Sequence, residues 1–194
     1  MMRIITGKAR GVRLSTLEGE NTRPTSERAK EAVFSMLQFE IAGTRVLDLF
    51  AGSGQMGLEA LSRGAEHAVL CDASRAAVDV VRANALKTRL APFCDILCTD
   101  FQTALQNLRR RQKFDLVFLD PPYKNGFLPQ AIGQLLRYEL LAEGAKLVCE
   151  SADPDDVFAG KEDLAEQFEV LRSTRYGIAH VTVLKYLGKE TEAQ

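Results

Sequence analysis

Asp120-Pro121-Pro122-Tyr123 is where the chemistry of this chain concentrates. It closes the apolar run FDLVFL, and because proline cannot donate to a sheet ladder, a strand along that run must stop here. Two prolines fix the backbone, turn the carbonyl of Pro121 toward a pocket and leave no local N–H to compete for it. The Asp120 carboxylate and the Pro121 carbonyl are then two acceptors suited to the two hydrogens of an exocyclic amine on a nucleobase. Such an amine is a poor nucleophile because its lone pair is delocalised into the ring. Gripping both hydrogens favours a pyramidal nitrogen whose lone pair can attack an electrophilic methyl. Tyr123 offers a ring on which the base can stack. A plain Pro-Pro turn is the competing reading of the tetrapeptide, and the loop upstream weighs against it.

That loop lies in Arg45–Gly57, RVLDLFAGSGQMG. Val46, Leu47, Leu49 and Phe50 read as a buried parallel strand, breaking into Ala51-Gly52-Ser53-Gly54, where missing side chains let the backbone turn tightly against a ligand. A helical pattern restarts in Gly57-Leu58-Glu59-Ala60-Leu61. Strand, glycine turn and helix make a nucleotide pocket at the carboxyl end of a first strand. Gly52, Gly54 and Gly57 also satisfy G-x-G-x-x-G, so the loop alone leaves NAD and S-adenosylmethionine both open. Asp48 tilts the balance: a carboxylate there repels a pyrophosphate and attracts a cationic ligand such as a sulfonium.

Two further acids sit at predicted strand ends. Asp72, followed by Ala73, is placed to accept hydrogen bonds from both ribose hydroxyls. Asp100, followed by Phe101, suits an adenine, the carboxylate taking the exocyclic amine and the ring giving apolar contact. A helix-capping role accounts for either acid alone. Together with Asp48, Phe50 and the glycine turn they outline a nucleoside pocket. Such chemistry requires neither a metal nor a covalent nucleophile, and the sequence offers neither. His67 and His180 fall in strand-like segments and read as structural. No cysteine has a proline neighbour, as a carbon-methylating cytosine enzyme would want.

Positioning these residues falls to an alternating rhythm. Strands are predicted over His67–Asp72, Cys94–Thr99, Phe114–Leu119 and Ala145–Glu150. Helices fall between them, over about Ser74–Lys87, Phe101–Arg110 and Phe127–Arg137, giving a parallel, doubly wound sheet. Phe168–Tyr176 and Ala179–Leu187 are joined too closely for a crossover and should pair as an antiparallel hairpin. Residues 3–17 read as a smaller hairpin around Gly-Lys-Ala-Arg-Gly, bearing Arg3, Lys8, Arg10 and Arg13. A ribbon edged with cations can lie on a phosphate backbone, although an ordinary packed extension fits as well. Glu18–Asn21 reads as a linker. Arg23, Pro24 and Thr25 then introduce a helix whose face is Ala29, Ala32, Val33, Met36 and Leu37, with Thr25 or Ser26 as its cap; Arg23 and Thr25 are candidates for substrate contact.

At 194 residues the chain suits one α/β domain with a small appendage. Its net charge of −1 hides an asymmetry, because residues 1–30 hold seven Lys/Arg against three Glu. The four cysteines fall in apolar runs without zinc spacing and read as buried free thiols in a reducing compartment. No signal-peptide pattern or bilayer-length apolar run is present, so a cytoplasmic protein without membrane contact, working as a monomer, is expected.

In their order, RIITGKARGVRL, TRPTSERAKEAVF, VLDLFAGSGQMGLEALSRGA and LDPPY resemble the bacterial RsmD family, which methylates N2 of a guanine in 16S rRNA. The closing antiparallel hairpin likewise resembles the class I S-adenosylmethionine-dependent methyltransferase fold, a Rossmann-like, mostly parallel seven-stranded sheet. The chain is expected to divide into a basic amino-terminal β-hairpin extension with its linker (1–21), a methyltransferase domain (22–188) and a disordered tail (189–194). The resemblance implies binding of S-adenosylmethionine, released as S-adenosylhomocysteine, through Asp48, Gly52–Gly54, Asp72 and Asp100–Phe101. It also implies catalysis at Asp120–Tyr123 and a substrate presented in the small ribosomal subunit. Many relatives have Glu where this chain has Asp72, and some have Phe in place of Tyr123.

Overall fold

The apolar runs become strands because their alternate residues are needed on both faces of one sheet. The computed structural model describes residues 2–17, 24–123 and 126–188. Among these, β1 (Arg45–Asp48), β2 (His67–Asp72), β3 (Cys94–Cys98), β4 (Phe114–Leu119), β5 (Leu141–Ser151), β6 (Phe168–Tyr176) and β7 (Ala179–Tyr186) form one sheet in the order β3-β2-β1-β4-β5-β7-β6. The first five run parallel, and β7 pairs antiparallel to both β5 and β6. Helices α1 (Pro24–Met36), α2 (Gln55–Ser62), α3 (Arg75–Lys87), α4 (Phe101–Leu108), α5 (Phe127–Arg137) and the short α6 (Glu162–Ala165) cover the two faces.

Each face carries its own core. Val46, Ala68 and Leu116 point to one side, with Phe34, Leu58 and Val81 from α1, α2 and α3. Leu47, Val69 and Val117 point to the other, with Leu105 and Ile132 from α4 and α5. Two-sided burial is what a parallel sheet demands and why its strands read as unbroken apolar runs. Strand order reverses between β1 and β4, so their carboxyl ends diverge and leave a crevice there.

The structure corrects several expectations. The amino-terminal hairpin is present but short, with one bridge, Arg3 to Arg13, flanked by the N–H groups of Ile4 and Leu14 donating to the Val12 and Met2 carbonyls, both at 3.0 Å. Other donors of the arm reach α2: the N–H groups of Ile5 and Thr6 donate to the Glu59 carboxylate at 2.7 and 3.0 Å, and that of Lys8 to the Ser62 carbonyl at 2.8 Å. Helix α1 begins at Pro24, so Thr25 and Ser26 lie inside its first turn; proline suits that first position, where its missing N–H is no loss. Cys98 is exposed, because β3 is an edge strand, whereas Cys71 and Cys149 are buried as expected and Cys94 is half-buried; all four are free. Strand β5 starts at Leu141, four residues earlier than its apolar run, with a register shift against β4 between Phe114 and Leu116. The linker Glu18–Asn21, Arg23, the side chain of Thr25 and the tail 189–194 lie outside the described residues.

The arm is nevertheless firmly seated. Met2, Ile4, Ala9 and Leu14 are buried in the first core. Gly7, at φ +87°, presses on α2 so closely that a Cβ would lie 1.8 Å from the Ser62 carbonyl oxygen, a position only glycine can occupy. Beneath it Glu59, fully buried, pairs with Lys30 (3.2 Å) and Arg63 (2.8 Å), and Lys30 also donates to the Arg3 carbonyl at 2.9 Å. No helix among the described residues is long and apolar enough to cross a membrane.

Candidate active site

The crevice at the carboxyl ends of β1, β2 and β4 is a cleft of about 950 Å³, at the upper end of the size range for small-molecule and cofactor sites. Its cofactor-side wall grows out of the glycine turn. Gly52 adopts φ +54° and donates its N–H to Asp72 Oδ2 at 2.9 Å, while the N–H of Ser74 donates to Asp72 Oδ1 at 2.8 Å. Asp72 lines the cleft and each of its oxygens retains a second lone pair, so backbone anchoring does not exclude ribose binding. Gly54, at φ +79°, caps the amino end of α2 and is not part of the cleft wall. Gly57 lets α2 approach the sheet; a Cβ there would meet Leu70 Cδ2 at 2.6 Å.

Asp48 lines the same cleft but is 3% exposed and receives the Gly57 N–H at 3.1 Å. Burial pushes its carboxyl up to about 7, the Asp72 charge adds to this, and the N–H groups of Gly57 and Phe50 oppose it. Asp48 is therefore poised to ionise when a cation enters beside it.

Asp100 is the cap of α4. Its carboxylate accepts the Thr103 N–H at 2.9 Å and the Thr103 hydroxyl at 2.8 Å, and those bonds hold it below the usual carboxylate range. It lines the cleft all the same, so the capping and nucleoside readings coexist in one residue. Phe101 belongs to an aromatic group with Phe50 at 5.4 Å and Phe127 at 5.2 Å between ring centroids. This apolar wall suits a purine ring. Ala51 and Ala73 complete the rim, and Ser53 contributes backbone, its hydroxyl being donated to Met2 Sδ at 2.9 Å.

On the other side of the cleft stand Asp120, Pro121, Pro122 and Tyr123, where β4 ends. Asp120 is exposed to the cleft, Pro121 is buried, and Tyr123 is 37% exposed. The tetrapeptide and the glycine turn thus face one space, as their chemistry requires.

Arg3, Lys8, Arg10 and Arg13 are all exposed on the arm, none lines the cleft, and none makes an ion pair among the described residues. Lys8 Nζ lies 5.9 Å from the centroid of the exposed Phe93 ring. Histidines 67 and 180 lie in β2 and β7, bonded to Asp95 at 3.1 Å and Ser173 at 2.7 Å, in keeping with structural roles. Burial pushes the thiols of Cys71 and Cys149 up to about 12, so neither is a nucleophile at neutral pH.

Sequence reasoning missed four parts of the site. Glu150 accepts the Tyr123 hydroxyl at 2.7 Å. Phe127 completes the aromatic wall. The β6–β7 turn overhangs the cleft with Tyr176, Gly177 and the exposed Ile178. Buried Asn84 donates to the Ser15 and Ser53 carbonyls, both at 2.9 Å, and accepts the Ser15 N–H at 2.8 Å, joining arm to glycine turn. A lone Glu or Asn in an amphipathic pattern carries no signal that could have found it.

Known proteins share this architecture. Residues 2–185 match the protein family described as conserved hypothetical protein 95. The chain is 35% identical over 188 residues to YlbH of Bacillus subtilis, named there as a candidate rRNA methyltransferase, covering 96% of this chain and 100% of that one. It is 35% identical over 150 residues to ribosomal RNA small subunit methyltransferase D of Escherichia coli K12, covering 77% and 74% respectively. The solved structure of YhhF, a methyltransferase candidate of Escherichia coli, matches with a TM-score of 0.82 at 28% identity, over 97% of this chain and 99% of that one. The seven-stranded mixed sheet is that of the class I, Rossmann-like methyltransferases.

Proposed function

The chain belongs to the conserved hypothetical protein 95 family, the RsmD family of its sequence resemblance, and on that premise we propose that it methylates the exocyclic N2 amine of a guanine in 16S rRNA of the small ribosomal subunit. The observation that carries this reading is the single cleft joining Asp48, Asp72 and the glycine turn to Asp120–Tyr123. S-adenosylmethionine, when bound, supplies a methyl on a sulfonium and leaves as S-adenosylhomocysteine. Asp72 holds the ribose, Phe50 and Phe101 line the adenine, and Asp48 faces the cationic portion. Asp120 and the Pro121 carbonyl take the two amine hydrogens, so that the nitrogen is aimed and partly pyramidal before it reacts. The proton that the nitrogen sheds on forming its new C–N bond passes to the Asp120 carboxylate and on to water. Tyr123 keeps the base flat.

Purified protein, tritiated S-adenosylmethionine and small subunits from a strain lacking the enzyme test this directly. Label recovered as N2-methylguanosine supports the reading. Label as N6-methyladenosine would make the protein an adenine methylase, and tight binding without label a non-catalytic assembly factor.

Asp48 gives the site a pH signature. Below about pH 7 its carboxyl is protonated in the empty cleft and must lose that proton to face a cation. Affinity for S-adenosylmethionine should therefore rise with pH, by up to about tenfold per unit, and level off above about 7. S-adenosylhomocysteine, lacking the sulfonium charge, should show a shallower rise. Titration calorimetry in two buffers of different ionisation enthalpy reads the released proton; identical pH profiles for the two ligands would remove Asp48 from the cation site.

The arm supplies the polyanion contact in this reading. Reversing Arg10 and Arg13 to Glu should weaken binding to 16S rRNA and flatten the dependence of log K on log salt by roughly one to two units. An unchanged slope would take the arm out of the interface.

A further inference from the structure

Glu150 stands beside the reacting tetrapeptide, and the chemistry above makes no use of it. Strand β5 lies next to β4 with Leu119 opposite Cys149, so Asp120 and Glu150 follow as the next residues of two adjacent parallel strands. On its other side Glu150 pairs with Val181 of β7, just below the β6–β7 turn. Its neighbours Cys149 and Ser151 are buried, while Glu150 is half-buried and opens into the cleft. One oxygen, Oε1, accepts the Tyr123 hydroxyl; the other takes no hydrogen bond among the described residues. The strand order places this carboxylate away from β2 and β3, the strands that carry the ribose and adenine acids, and so on the side where a base would enter.

An acceptor held here has one obvious correspondent. A guanine whose N2 amine is gripped by Asp120 and Pro121 presents, immediately beside that amine, the N1–H donor. Adenine and 2-aminopurine carry a lone pair at N1, which a carboxylate repels. We propose that Glu150 is the guanine-selecting residue of the site: its carboxylate accepts the N1–H of the target base, fixing the edge that delivers N2 to Asp120. This rests on the guanine-N2 reading above. A site built to receive a donor rejects an analogue that lacks it far more strongly than it rejects a change of shape, because the site's own polar group is left unmatched.

A purely structural account would have Glu150 do no more than orient Tyr123, and two variants separate the ideas. In Glu150→Gln the amide oxygen can still accept the Tyr123 hydroxyl, which turns an NH₂ donor toward the base. In Tyr123→Phe the tether is lost but the carboxylate stays. The substrates are small subunits reconstituted from 16S rRNA bearing guanine or 2-aminopurine at the position that the wild-type protein methylates. 2-Aminopurine keeps the 2-amino group, lacks the N1 hydrogen and also lacks O6, so the quantity compared is the guanine to 2-aminopurine ratio of kcat/KM in each protein.

Wild type should favour guanine by roughly 10²-fold or more. Glu150→Gln should narrow that preference by about tenfold or more, and Tyr123→Phe should leave it within about threefold of wild type. A Glu150→Gln variant that slows both substrates equally overturns the proposal. So does a Tyr123→Phe variant whose ratio collapses alongside it, since Glu150 would then act only through the ring. If wild-type protein makes no N2-methylguanosine on the guanine subunits, the functional reading itself falls, and this inference with it.

Discussion

Replacing Asp120 with Ala should lower the rate of methyl transfer by roughly 10³-fold, while the dissociation constant for S-adenosylmethionine changes less than about threefold. Asp120 sits at the end of β4, on the substrate side of the cleft, whereas the backbone of the glycine turn is anchored by Asp72. Removing its carboxylate takes away one of two acceptors for the amine hydrogens and the first station for the departing proton. Both effects are felt as the nitrogen reacts and not when the cofactor binds, so the loss should appear in kcat. Asp72→Ala should behave in the opposite way. The N–H groups of Gly52 and Ser74 lose their acceptor, the turn loosens, and cofactor affinity should fall by about tenfold or more before the chemical step suffers. Rapid-quench single turnovers and equilibrium dialysis on the two variants test the division. Equal losses of both functions in both variants would show that the two halves of the cleft do not divide the work this way.

The largest effect on stability is expected at Glu59. Its carboxylate is fully buried and serves Lys30, Arg63 and two arm N–H groups at once. Glu59→Ala leaves the ammonium of Lys30, itself 3% exposed, without its counter-ion, and orphans the N–H groups of Ile5 and Thr6. Breaking a buried pair from one side costs about 3–5 kcal/mol. For a domain of this size that corresponds to a fall in Tm of roughly 10 °C or more. Glu59→Gln, which keeps an acceptor for the backbone but not the charge, should lose less. Differential scanning calorimetry decides the matter, and a loss below about 1 kcal/mol for Glu59→Ala would mean that the network relaxes as readily as a surface ion pair.

The sequence makes the second of these features far harder to see than the first. Strands β2, β4 and β6 and helix α5 fall at the bounds read from the chain; β4 is the clearest case, an apolar run that meets Asp120 and two prolines. Asp120–Tyr123 is legible for the same reason. Glu59 is not: in Gly57-Leu58-Glu59-Ala60-Leu61 an isolated acid reads as the solvent face of an amphipathic helix. Only the burial of every residue from Gly57 to Ser62 reveals that α2 has no solvent face there, since the arm covers it. The seating of the amino-terminal hairpin is hidden for the same reason: the N–H groups of Ile5 and Thr6 end on an acceptor some fifty residues away, and no local pattern announces it. Glu150 escaped because its partner Tyr123 lies in another strand's turn, a proximity that only sheet order creates.

Asn84 has a practical corollary for anyone shortening this protein. Because one amide clasps both Ser15 and the carbonyl of Ser53, deleting the first fifteen or so residues to obtain a leaner domain would also unfasten the turn that receives the nucleoside. Such a truncated version would be mistaken for one defective in cofactor recognition, when its lesion is the loss of Ser15, the clasp's second anchor, nearly forty residues upstream of that turn.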